Sequence, residues 1–143
     1  MMFKKILVAF DASKESARAL DQGIRLSREN PSIALEVLHV FYLPMMVIGE
    51  ALVSAPAFID NNQYEHAQNV IAKAEQHVSA FPNATVTLKQ GDPATTVVAY
   101  AEEVQSDLII VGSRGIGGIK EMLLGSVSHH IIQHSKIPVL VVK

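Results

Sequence analysis

At 143 residues with 49% apolar side chains, the chain can bury roughly two-thirds of its unfolded surface, enough for a single core. A net charge of −2 gives no electrostatic reason to expect a nucleic-acid partner, which needs a clustered basic surface. No cysteine is present, so disulfide staples are excluded and the cytoplasm is the expected compartment.

In chain order, Lys4-Lys5 precede the apolar run Ile6 to Phe10, which Asp11 interrupts before it reaches the length of a secretory h-region. It reads as a first strand. Ser13 to Arg28 carries Ala17, Leu20 and Ile24 at helical spacing, and Asn30-Pro31 ends that helix. Ala34 to Phe41 is a second strand, apolar on both faces. Tyr42 to Ile59 is an apolar connection broken by Pro44, Glu50 and Pro56, a poor membrane span that suits a lid or an oligomer contact. Asn61 to Phe81 places Tyr64, Ala67, Ile71, Ala74, Val78 and Phe81 in steps of three and four, as in a long amphipathic helix. Thr85 to Gln90 alternates as a strand with one wet face, and Asp92 caps a helix that has Pro93 in its first turn. Asp107 to Val111 reads as a buried strand, Ser126 to His134 as a helix, and Ile137 to Val142 as the closing strand.

Strands alternating with helices predict one α/β domain over residues 1–143: a doubly wound parallel sheet with right-handed crossovers and helices on both faces. Ligands of such sheets bind beyond the carboxyl ends of the strands. The residues after the buried strand fit that place. Gly112-Ser113-Arg114-Gly115 is followed by nine residues and then Gly125-Ser126 at a helix start. Glycine lets backbone N–H groups approach an anion, and a helix N-terminus adds free N–H groups and a positive dipole end. No Lys-Ser or Lys-Thr follows the last glycine, and the dinucleotide fingerprint lacks its third glycine, so neither named phosphate motif is present.

The spacing Gly112-x2-Gly115-x9-Gly125-Ser126 resembles the nucleotide-binding branch of the universal stress protein family. Lys4 to Ser13, Leu38-His39-Val40, Gly91-Asp92-Pro93 and Pro138 to Val142 match the family's other segments in the same order. The resemblance implies five strands in the order 3-2-1-4-5, with Asp11 and Gly112 facing one crevice. It implies ATP as the ligand, with magnesium or manganese. Ala9, Val40 and Val111 would line the adenine pocket; Gly112, Arg114, Gly115, Gly125, Ser126 and Val127 would surround ribose and phosphates. Asp11 could accept ribose hydroxyls or hold a metal ion, and its simpler role is to cap the helix near Ser13. Arg114 suits phosphate through its planar fork of donors. Dimerisation through the last strand (Ile137, Val139, Val141) is also implied.

The expected function is therefore an ATP-binding stress protein whose bound nucleotide signals a conformation or an assembly. A slow ATPase and a nucleotide-free interaction module are the alternatives. His130 and His134 stand four apart on a predicted helix, but no third ligand accompanies them, so they read as a favourable charge near a helix C-terminus.

Overall fold

Runs rich in Val, Ile and Leu become the buried strands of a parallel sheet because helices cover both of its faces. The computed structural model describes residues 3–42, 45–49, 51–54, 61–114 and 125–143. In chain order the elements are β1 (Lys5–Ala9), α1 (Lys14–Glu29), β2 (Ala34–Phe41), β3 (Met45–Ile48) and β4 (Ala51–Ser54). They continue with α2 (Asn61–Val78), β5 (Ala84–Gln90), α3 (Pro93–Glu103), β6 (Leu108–Gly112), α4 (Ser126–His134) and β7 (Val139–Val142). Five strands form one parallel sheet in the order β5-β2-β1-β6-β7. Numbered among themselves, these strands run 3-2-1-4-5, the expected order.

Strand alternation sends side chains into two cores. Ile6, Val8, Leu35, Val37, Leu108 and Ile110 pack with α1 and α2, through Leu20, Ile24, Val70 and Ala74. Leu7, Leu38, Val40, Ile109 and Val111 pack with α3 and α4, through Val97, Ala101 and Ile131. The central strands β1 and β6 thus contribute to both layers.

The ends follow local chemistry. Ser13 is the N-cap of α1, its Oγ accepting from Ser16 N–H at 3.1 Å. Asp92 caps α3 by accepting from Thr95 N–H at 3.0 Å, and Pro93 stands in the first turn where no N–H is needed. Lys5 pairs with Ala34 at the opening of the sheet, while Asp107 accepts from the N–H groups of Lys4 and Lys5 and ties β1 to the start of β6.

Four details depart from the sequence reading. The apolar connection Tyr42 to Ile59 holds two strands that the sequence reading does not show: β3 and β4 pair antiparallel, Ile48 against Ala51, with Gly49 at φ +66° in the turn. Residues 43–44, 50 and 55–59 of that segment lie outside the described residues. Helix α2 ends at Val78, and its buried face is Ala67, Val70, Ala74 and Val78; Tyr64 is exposed. Strand β6 runs one residue further, to Gly112, which pairs with Val142. Strand β7 begins at Val139, since Pro138 offers the ladder only its carbonyl, which accepts from Ile109 N–H.

Candidate functional site

The carboxyl end of β1 continues through Phe10, whose N–H donates to Leu38 O at 2.9 Å. The chain then turns sharply at Ala12, held at φ +66°. Asp11 anchors this turn: its Oδ1 accepts from Ser13 N–H at 2.9 Å, while its own N–H donates to Ser16 Oγ at 3.2 Å. The capping role considered for Asp11 therefore belongs to Ser13, and the Asp11 carboxylate stands upstream of the helix.

At the end of β6 the backbone takes a parallel course. Ser113 N–H donates to Val142 O at 2.8 Å, and Ser113 O accepts from Gly125 N–H at 2.6 Å. Gly125 is the N-cap of α4 and supplies no side-chain cap; Ser126 is the first residue of the helix. The hydroxyl of Ser128, buried in the first turn of α4, donates to Gly112 O.

Between these two ends lies a cavity of about 350 Å³, within the size range of small-molecule sites. It sits at the carboxyl ends of β1, β2 and β6, where the strand order reverses. Its apolar wall includes Ala9, Val40 and Val111; Asp11 and Arg114 add one charge of each sign. Gly112, Gly125, Ser126 and Val127 also line it. Of the ten residues expected around a nucleotide, only Gly115 is not among these, and it lies outside the described residues.

Several lining residues were not singled out by sequence. Leu38 and Val97 extend the apolar wall, and Phe10, Ser16, His39, Pro93 and Ser128 also line the cavity. Ser16 and Ser128 each stand in the first turn of a helix that points at the cavity, and first-turn position was the available signal for both. Pro93 follows from the start of α3, which the Gly91-Asp92-Pro93 turn already marked.

His39 is buried, with Nδ1 2.9 Å from Phe10 O. A carbonyl only accepts, so Nδ1 carries the hydrogen in this contact and Nε2 is the remaining acceptor when the ring is neutral. Burial lowers the pKa of His39 below its ordinary value; the Phe10 carbonyl and the Asp11 carboxylate oppose the shift, and His66 adds to it.

Asp11 is the only carboxylate among the described residues lining the cavity. No group of three or more His, Asp or Glu side chains that could hold a metal occurs among the described residues. The rings of His130 and His134 stack at 4.1 Å, and His134 Nδ1 lies 3.0 Å from His130 O.

A sequence-family model described as the universal stress protein family matches residues 2–143. Universal stress protein YxiE of Bacillus subtilis is 38% identical over 149 residues, covering 99% of this chain and all of that protein. Among solved structures, MJ0577, a universal stress protein of Methanocaldococcus jannaschii, superposes with a TM-score of 0.82 at 27% identity, covering 100% of this chain and 97% of that one. A universal stress protein of Archaeoglobus fulgidus, solved in complex with dAMP, has a TM-score of 0.72 at 20% identity, with both chains fully covered.

Proposed function

The chain belongs to the universal stress protein family, and from that membership and the geometry of the cavity we propose that it binds an adenine nucleotide, ATP, between the ends of β1, β2 and β6. The observation that carries this reading is the convergence of Ala9, Asp11, Val40 and Val111 with Gly112, Arg114 and the start of α4 on one cavity. The family member from Archaeoglobus fulgidus bound to dAMP supports the class of ligand.

Each part of the ligand has a matching surface. A purine ring takes the apolar wall of Ala9, Val40 and Val111, where burial of its faces favours binding. Asp11 accepts from the ribose hydroxyls. Phosphates take the start of α4, where Ser126 and Val127 bring backbone N–H groups and a positive dipole end beside Gly125, and the guanidinium of Arg114. Gly115 lies outside the described residues, and the family spacing alone implies a phosphate role for it.

The donor set also fits a magnesium or manganese ion. Such ions are held by one or two carboxylates together with the phosphates of the ligand, and Asp11 supplies the one carboxylate. Bound there, the ion would offset phosphate charge.

The nucleotide acts as a signal for a conformation or an assembly, and the assembly is a homodimer through β7. That strand pairs with β6 along one edge, and no described strand pairs with the other. Val139 and Val141 are half-buried, Leu140 is exposed, and Ile137 flanks the strand.

Mass spectrometry of small molecules released from the purified protein, followed by calorimetric titration with ATP, tests the reading. An adenine nucleotide released or a saturable ATP titration supports it. A protein that carries none and takes up none is the nucleotide-free interaction module instead.

A further inference from the structure

Helix α4 is short, and only two of its side chains, Ser128 and Ile131, are buried. Ile131 is fully buried in the apolar core on that face of the sheet, and the helix lies against α3. That packing lies along the body of the helix and does not itself join its first turn to the end of β6. Two hydrogen bonds between the same two segments supply what is missing. Gly125 N–H donates to Ser113 O at 2.6 Å, and Ser128 Oγ donates to Gly112 O. The chain leaves the sheet at Ser113 and returns to the same point at Gly125, with the two bonds joining its ends.

Resting on the nucleotide reading above, we infer that Ser128 is a positioning residue for the phosphate end of the cavity. Its hydroxyl pins the first turn of α4 to the last residue of β6 and so holds the N–H groups of that turn where phosphates arrive. The bond is out of the ordinary for its position. A serine in the first turn of a helix usually faces water or its own backbone, whereas this one leaves the helix for a strand carbonyl and is 3% exposed. Gly125 has no side chain, so the helix start gets no help from a cap of its own. Of the two crossing bonds, only the one from Ser128 comes from a side chain, which makes it the one that sequence can change. A misplacement of about 1 Å is enough to spoil contacts that depend on aligned donors.

The role separates from plain stability by its dependence on the ligand. Loss of the pin moves donors at the phosphate end and leaves the apolar wall of Ala9, Val40 and Val111 in place. Calorimetric titration with adenosine, AMP and ATP, on the parent, Ser128→Ala and Ser128→Cys, reads the difference. Cysteine keeps nearly the volume of serine with a much weaker donor, and it decides the matter if the alanine variant does not fold by circular dichroism. The expected result is a loss of about tenfold in AMP and ATP affinity, the worth of one buried hydrogen bond, with adenosine affinity within about twofold of the parent. Equal losses for adenosine and ATP, or no loss for either, overturn the positioning role while leaving nucleotide binding intact. A parent protein that binds none of the three overturns the nucleotide reading itself, and this inference with it.

Discussion

A Cβ built on Gly112 would lie 2.7 Å from the Glu15 carbonyl carbon and 2.8 Å from Ser16 N, so the first turn of α1 rests directly on the last residue of β6. Helix α1 starts at the cavity, and its approach fixes Asp11 and Ser16 relative to Gly112. The obstructing atoms are mostly backbone and cannot swing away. Gly112→Ala is therefore expected to destabilise the protein by about 1–3 kcal/mol, the usual range for overpacking. Urea unfolding at equilibrium measures it. A midpoint equal to the parent's would show that α1 shifts without cost.

His39 makes stability depend on pH near neutrality. Its folded pKa lies below the ordinary 6.5, chiefly through burial, with Phe10 O and Asp11 opposing and His66 assisting. The unfolded chain then binds the proton more readily, so the His39 contribution is fully present above pH 6.5 and declines as pH falls toward the folded value. His39→Asn keeps a donor for Phe10 O and removes the titration. The parent should lose unfolding free energy between pH 7 and pH 5, and the variant should lose less. Parallel curves would remove His39 as the cause.

Two carboxylates work at lower pH. Asp92 is held below its ordinary pKa of 3.8 by the backbone and side-chain hydrogen bonds from Thr95, and Asp107 by the N–H groups of Lys5 and Lys4. Depressed folded values stabilise above the unfolded pKa and lose that effect as pH falls through the folded ones. Stability should thus hold steady in these terms above pH 5 and decline below about pH 4. Asp92→Ala also removes a helix cap, at a cost of about 1 kcal/mol at neutral pH. Thermal melts of Asp92→Ala and Asp107→Asn at pH 7 and pH 3 check both statements; a stability gap from the parent that stays the same at both pH values would dismiss the linkage.

The sheet was legible because its signals are local. Runs such as Ile6 to Phe10 and Asp107 to Val111 are too short and too apolar to be anything but buried strands between helical segments, and Ser13, Asp92 and Pro93 mark helix starts by their own chemistry. The strand order was not local and came from family resemblance. The hairpin of β3 and β4 was missed because Pro44 and Pro56 bracket it and its turn carries Gly-Glu rather than a strong turn pair. Helix α2 was found, but its buried face was drawn through Tyr64 and Ile71 instead of Val70, since several apolar stripes fit its sequence equally well. At the cavity, Ala9, Asp11, Val40, Val111, Gly112 and Arg114 were named through the family resemblance, while Phe10, Leu38, His39 and, in α4, Ser128 were not. The role of Ser128 depends on where Gly112 O lies, and only tertiary structure supplies that.

Assembly has a direct test at β7. Leu140 is 39% exposed on a strand whose second edge has no described partner, and an apolar edge of that kind is either covered or used for pairing. Leu140→Lys places a charge on this surface without removing a backbone donor. Sedimentation equilibrium should show a dimer for the parent at micromolar concentration and a shift toward monomer for the variant. A parent that sediments as a monomer refutes dimerisation through β7.

Hydrolysis sets the boundary between a sensor and an enzyme. Phosphoryl transfer needs an in-line nucleophile, a group that orients it, and cations that absorb charge on the leaving phosphate. The cavity supplies Arg114, the start of α4 and the Asp11 carboxylate, which suit binding and charge compensation. His39 is the one additional titratable group among the described lining residues, and its Nδ1 is engaged by Phe10 O. Among the described lining residues Asp11 is the one carboxylate and it is assigned to ribose or metal, so no second carboxylate activates a water at the γ-phosphate, and ATP should be bound far more often than it is cleaved. Turnover should fall well below the ~1–100 per second of kinases, and Arg114→Ala should weaken ATP binding by about tenfold through loss of a charge-assisted contact. Steady-state phosphate release with magnesium and with manganese, alongside titration of the variant, measures both. A turnover in the kinase range that vanishes in Arg114→Ala would make this protein an ATPase.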